Sequence, residues 1–269
     1  MTDARQLDLF ADRGLAAPEL VPVPRPRRPD ALTDDEILDR LPGAGIIDAV
    51  VFCDLIVERG ICDRALPALD RLWQRFRGFG REQPLPELEA VVDALARVGS
   101  SDARSQLARY VTEMDLPPPL LPKALQAALT ARLRLPREFT SSLLRHADPE
   151  IRSLAARLCR FGTPDMTVLE GLASDPDSRV RRAAAIALGG LGRTSAKGIL
   201  LDELRRNPTS EIVVALSGIA DDDDAVQLGR CAKAHPALAE TIVTELEAME
   251  TDRSRKIARR IRGRSAGSD

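Results

Sequence analysis

From residue 33 onward, apolar positions recur every three or four residues in stretches a few helical turns long, separated by short polar breaks. This period predicts amphipathic helices rather than strands, and it persists to the end of the chain. Thr33-Asp34-Asp35-Glu36 ahead of Ile37-Leu38 has the form of a capping box, in which a hydroxyl and a carboxylate satisfy each other's backbone N–H groups. A helical hairpin follows, broken at Pro42-Gly43 and again near Gly60. Pro67 is expected near the start of the next helix, which runs through Phe76 and ends at Gly78 and Gly80. Gln83-Pro84-Leu85-Pro86 opens another helix through Arg97.

Beyond this point the helices repeat. Ala94-Leu95-Ala96-Arg97-Val98-Gly99 returns 93 residues later as Ala187-Leu188-Gly189-Gly190-Leu191-Gly192. Leu158, Phe161 and Gly162 hold the same frame between them, and Ala215-Leu216-Ser217-Gly218-Ile219 is the last clear copy. An apolar run follows each frame, at Leu107, Leu169, Leu200 and Leu228. The anchoring leucines Leu95, Leu158, Leu188 and Leu216 stand 63, 30 and 28 residues apart, so the long gap holds two units, with a poorly matching copy around 120–136. A period of about 30 residues is one helix–turn–helix unit.

The strongest unit runs from Ser174 to Leu201. Asp175-Pro176-Asp177 ends one helix and starts another, Val180–Leu188 carries a small-residue face, and Asp148-Pro149-Glu150-Ile151-Arg152 repeats the same start. Asp accepts from orphan N–H donors while Pro suits the first turn. In these residues the chain resembles the HEAT-repeat family in its short bacterial form, over about residues 85–250 and most strongly at 143–205. The resemblance implies stacked helix pairs forming a curved binding surface. It also implies that Arg152 and Arg181 bond within the repeat ladder as structural groups. The expected architecture is an all-α, HEAT-like solenoid of about five to six units. It divides into an arm at 1–30, a helical capping region at 31–84, repeats at 85–252 and a basic tail at 253–269.

The arm has its own pattern. Residues 16–30 contain prolines at 18, 22, 24, 26 and 29, which predicts an extended, disordered spacer reaching on the order of 45 Å at the polyproline rise. Ahead of it stands Gln6-Leu7-Asp8-Leu9-Phe10. This string resembles the pentapeptide by which bacterial replication and repair proteins dock onto the DNA sliding clamp, at all five positions. The resemblance implies that Gln6 makes a polar contact at the pocket edge and Leu7 a secondary apolar one. Asp8 would face outward, and Leu9 and Phe10 would be the buried anchors. The alternative is an amphipathic N-terminal helix packing Leu7, Phe10 and Leu15 on the body.

Composition narrows the chemistry. With 269 residues, 44% hydrophobic and only 3% aromatic, the chain has the content of a helical protein with thin interhelical packing. A net charge of −2 provides no global attraction to nucleic acid. Local clusters are another matter. Arg255, Lys256, Arg259, Arg260 and Arg262 near the C-terminus can hold phosphates, or else form the solvated side of a final helix. Trp73, among arginines and Phe76 and Phe79, suits either a base-stacking surface or a helix with its aromatics in the core, and the core is the commoner case. Asp221–Asp224 lacks the ligand alternation of a calcium loop and fits a helix cap.

Cys53, Cys62, Cys159 and Cys231 are scattered, and neither His146 nor His235 adjoins one. Buried free thiols in a reducing cytoplasm are expected, with no metal and no cofactor. No apolar stretch is long enough to span a membrane. No phosphate loop, nucleophile elbow or Cys–His constellation is present. Two enzyme groups share this type of fold. Repeat-fold DNA glycosylases are basic and rich in aromatics where this chain is neither, and bilin lyases share repeats common to many inactive proteins. The expected function is therefore a non-enzymatic scaffold, docked on the sliding clamp in replication or repair. A second protein would occupy its concave surface, and any contact with DNA would be indirect. A general protein–protein scaffold without a clamp role, or a HEAT-like DNA glycosylase, is the alternative.

Overall fold

The computed structural model describes residues 31–78, 85–113 and 116–265, with side chains to 263. The arm at 1–30, with Gln6, Leu7, Asp8, Leu9 and Phe10, lies outside the described residues, as do Phe79 and Gly80. Among the described residues the fold is all-α, with fifteen α-helices and no strand. It is a HEAT-like solenoid.

The first helix, α1 (Asp34–Arg40), starts at the expected capping box. The Glu36 N–H donates to Thr33 Oγ1 at 3.3 Å and the Thr33 N–H to Glu36 Oε2 at 2.8 Å. Seven consecutive hairpins follow: α2 (Ile46–Glu58) with α3 (Cys62–Phe76), α4 (Pro86–Val98) with α5 (Ser101–Val111), α6 (Leu121–Thr130) with α7 (Arg137–Leu143), α8 (Pro149–Leu158) with α9 (Met166–Gly171), α10 (Ser178–Gly190) with α11 (Lys197–Arg206), α12 (Ser210–Ser217) with α13 (Asp222–Ala234), and α14 (Ala239–Ala248) with α15 (Asp252–Ser265). The stack is longer than the expected five to six units. The terminal hairpins lack the Asp-Pro signature, yet α2 packs on α4, and α15 on α13 and α14. Pro67 also falls deeper than expected, in the second turn of α3. It is on the solvent side, where water can meet the carbonyl its missing N–H leaves free.

The even-numbered helices from α2 to α14 form one layer in which every neighbour touches the next. In the other layer, extensive contact is confined to α3 with α5 and α13 with α15. A stack whose layers are spaced unequally bends toward the tighter one, so the even layer lines the inner side of the curve. The anchoring leucines Leu95, Leu158, Leu188 and Leu216, and the following Leu107, Leu169, Leu200 and Leu228, are all buried between the layers.

Small residues permit the tight spacing. In α10 the run Ala183–Gly189 is buried between α8 and α12. A Cβ on Gly189 would lie 2.5 Å from the Ala215 carbonyl oxygen and 2.7 Å from Leu200 Cδ1, whereas a Cβ on Gly190 would meet nothing within 4 Å. Adjacent glycines should therefore respond with opposite signs. Gly189→Ala is expected to destabilise by about 2 kcal/mol through overpacking against backbone. Gly190→Ala should stabilise by up to about 1 kcal/mol from helix propensity. Urea unfolding followed by circular dichroism checks both, and equal shifts for the two variants would contradict the close approach of α10 to α12.

Several first-layer helices end in the same way. After α2, α6 and α10, the N–H of Ile61, Leu133 and Arg193 donates to the carbonyl of Ile56, Ala128 and Leu188, at 3.2, 2.9 and 2.9 Å. This six-to-one bond is the Schellman closure, which needs a left-handed residue just before the donor. Gly60 (φ 67°) and Gly192 (φ 73°) supply it, but after α6 the residue is Arg132, at φ 51°. The poorly matching copy thus keeps the geometry of the motif without its glycine. A non-glycine residue in this region carries a steric cost of about 1–2 kcal/mol.

Candidate interaction surfaces

The repeats first build a polar ladder. Arg152 on α8 donates from Nε and Nη2 to Asp175 Oδ2 and Oδ1 at 2.9 and 3.0 Å, and from Nη1 to the carbonyls of His146 and Ala147 at 2.9 and 2.8 Å. One repeat on, Arg181 donates to the carbonyls of Asp175 and Pro176 at 2.7 and 2.9 Å. The Arg152 guanidinium holds the Asp175 carboxyl below the usual carboxylate range. These arginines join inter-helix turns and are structural, as the resemblance implied.

The acidic turn before α13 is also structural. Asp221 accepts from the N–H groups of Asp223 and Asp224 at 2.9 and 3.1 Å, and Asp224 Oδ2 accepts from the Asp221 N–H at 2.9 Å. Lys197 Nζ sits 2.5 Å from Asp221 Oδ2 and 2.6 Å from Asp224 Oδ2. Its ammonium pulls the Asp221 carboxyl down to about 2. The four aspartates therefore form a cap with a lysine partner.

Trp73 is fully buried, stacked on Tyr110 at 4.1 Å between ring centroids and 6° between planes. Its ring is closed to a nucleic-acid base, while Leu72 is buried beside it and Phe76 half-buried. The cysteines are buried free thiols, and burial pushes Cys53 and Cys159 up to about 12, so none is a poised nucleophile.

Two open surfaces combine apolar and charged side chains in larger depressions. The first lies on the inner side, where Arg132, Arg160, Phe161, Ile186, Gly190, Glu211 and Val214 surround a depression of about 450 Å³. Val214 is 49% exposed, unusual for a large apolar side chain in this fold. Glu211 on α12 receives Arg157 at 3.1 Å and Arg160 at 3.4 Å from the end of α8, a strap that passes over α10. The Arg160 guanidinium lies 4.7 Å from the Phe161 ring centre. An exposed valine and a half-buried phenylalanine over the buried Ile186, flanked by arginines, have the composition of a protein-binding patch. Its rim includes the left-handed Arg132.

The second surface is a groove of about 540 Å³ between α13 and α15. Its floor is Val226, Gly229, Ile257 and Ile261, and its rims are Arg230, Lys233, Arg253, Lys256 and Arg260. The structure divides the five basic residues read from the sequence. Lys256 and Arg260 face the groove, Arg262 pairs with Glu247 at 2.7 Å, Arg255 lies 3.8 Å from Asp252, and Arg259 is exposed. Arg230 and Lys233 were missed. They share one face of α13 at helical spacing, but nothing in the sequence says that α15 packs beside that face.

The stacked hairpins, the aspartate caps at Asp148 and Asp177 and the arginine ladder define an α-solenoid of the HEAT type. Residues 137–220 match the family model of HEAT repeats, a span that holds α7 to α12. No curated protein matches the chain. Among the described residues no helix is long and apolar enough to cross a membrane, and no group of His, Cys, Asp and Glu side chains is arranged to hold a metal ion.

Proposed function

We propose that the protein is a non-enzymatic interaction scaffold that docks on the bacterial DNA sliding clamp through Gln6–Phe10 and holds a protein partner on its inner surface, as an accessory of replication or repair. The scaffold role is supported by the HEAT-repeat match and by the open depression at Phe161, Ile186 and Val214. The clamp role rests on one observation, the five-for-five agreement of Gln6, Leu7, Asp8, Leu9 and Phe10 with the clamp-docking pattern ahead of a proline-rich stretch. Leu9 and Phe10 would supply a few kcal/mol by apolar burial, roughly half of the about 8 kcal/mol that a micromolar contact requires, with the rest from Gln6, Leu7 and the peptide backbone. A ring with several equivalent pockets would raise occupancy at high local concentration. DNA would then lie close to the solenoid without being its primary ligand.

Calorimetric titration of purified sliding clamp with the full chain tests the reading. Saturable binding near micromolar is expected, with loss of at least tenfold in Leu9→Ala/Phe10→Ala and no change in helicity. Absence of binding by the unaltered chain refutes the clamp role. The second reading would then stand, a general protein scaffold acting through its inner surface, which the depression favours independently of the arm.

A further inference from the structure

We propose that the groove between α13 and α15 is a docking site for an acidic peptide segment carrying aliphatic side chains. The proposal does not depend on the clamp reading, since it concerns the other end of the chain and the outer layer of helices.

Charge is the first argument. In the repeats many cationic side chains are matched to carboxylates, among them Arg97 with Asp54, Arg109 with Asp70, Lys123 with Asp93, Arg152 with Asp175, Arg182 with Glu203 and Lys197 with Asp221, while others such as Arg132, Arg193 and Arg206 have no carboxylate partner among the described residues. Around the groove, four unmatched cations line one depression. Arg253 reaches Asp223 at 3.0 Å, but Arg230, Lys233, Lys256 and Arg260 have no ion pair or hydrogen bond to another side chain among the described residues. Helix α15 carries seven Arg and Lys against one acidic residue, in a chain whose net charge is −2. A local positive field of this kind selects a negatively charged partner and accelerates its encounter.

The floor decides which kind of anion. Ile257 and Ile261 stand one turn apart on α15 and face Val226 and Gly229 of α13. Gly229 lets the helices close, since a Cβ there would lie 2.7 Å from Ile257 Cγ2. Lys256 and Arg260 repeat the same four-residue step on the rim, so cationic and apolar positions run parallel along about one turn. An acidic peptide with aliphatic residues at helical spacing satisfies both rows at once. A nucleic acid satisfies only one. A duplex is too wide for a groove of this volume and would leave the isoleucines facing phosphates. A single strand gains its affinity by stacking on aromatics, and the residues lining the groove include none.

The test is fluorescence anisotropy with the full chain and a labelled peptide of about twelve Asp and Glu residues interrupted by Leu at i, i+3 and i+7. Saturable binding that weakens with salt is expected. It should fall at least tenfold in Lys256→Glu/Arg260→Glu, and likewise in Arg230→Glu/Lys233→Glu on the opposite wall. All four side chains lie on the rim, and unchanged far-ultraviolet circular dichroism confirms that each variant folds. A leucine-free peptide of equal charge should bind at least fivefold more weakly. The proposal is overturned by no saturable binding at low salt, by equal affinity for the leucine-free peptide, by equal or tighter binding of a DNA duplex or single strand of matched charge, or by charge-reversed variants that bind as well as the unaltered chain.

Discussion

Trp73→Ala should cost about 4 kcal/mol, the middle of the range for removing a buried aromatic side chain. Trp73 is among the largest fully buried side chains of the protein. Its loss removes the ring stacked on Tyr110 and the hydrogen bond from Nε1 to Glu113 Oε2 at 3.3 Å. Tyr110 would keep its hydroxyl bond to Asp70 at 2.5 Å, so its ring could not swing in to fill the space. Burial and that same bond push the Tyr110 phenol well above its ordinary value, so it stays neutral and held. Because a solenoid is stabilised by nearest-neighbour contacts, the damage should concentrate in α2 to α5. A melt followed by circular dichroism should separate into two phases, the earlier from the N-terminal hairpins. Hydrogen exchange should rise there while the amides of 137–220 remain protected. Trp73→Phe, which keeps a ring for Tyr110, should recover more than half of the loss. A single cooperative melt with a shift of a degree or less would mean that this stack is not the N-terminal core.

Arg152→Ala should cost about 2 kcal/mol, below the range for a fully buried ion pair because Arg152 is only partly buried. The two side chains are 14% and 6% exposed, so the remaining Asp175 carboxylate would be little hydrated, held only by the Asp177 N–H at 2.9 Å. The carbonyls of His146 and Ala147 would lose their donor as well. The effect is linked to pH. Asp175 is depressed in the native state, chiefly by its hydrogen bonds from Arg152, so the pair stabilises fully above the unfolded carboxylate value of about 4. That contribution disappears as pH falls through the lowered native value. The difference in unfolding free energy between unaltered protein and variant should therefore be constant from neutrality to about pH 5 and shrink below about pH 4. A difference that grew on acidification would contradict the assignment of Asp175 as the ionised partner.

Much of this architecture can be read in the residues, because close packing repeats its demands. Leu158, Leu188 and Leu216 recur since each fills the same space between layers, and Asp148 and Asp177 recur since each caps the same kind of helix. What escapes the sequence is whatever depends on a neighbour far along the chain. Gly189, Gly190 and Gly192 look alike as letters, yet one admits the Ala215 carbonyl, one faces open space and one turns the chain at φ 73°. Arg132 conceals a motif by doing a glycine's task. The basic groove is divided between α13 and α15, with α14 between them in sequence, so only half of its rim stands out as a cluster. The inner depression is less legible still. Phe161, Ile186 and Val214 come from three successive units, and each alone reads as an ordinary helix residue. The arm is the reverse case, since its pentapeptide is legible only as letters.

The unequal spacing of the two layers also has a mechanical meaning. Pulling the ends of the stack apart would strain the alanine-lined inner layer, where neighbouring helices already share close contacts, while the outer helices have room to move. The body should therefore behave as a spring that deforms by opening and closing its outer gaps, pivoting on the inner helices. At both ends that freedom is reduced, because α3 touches α5 and α13 touches α15, and it is most reduced at the C-terminal end, where the contact is broader.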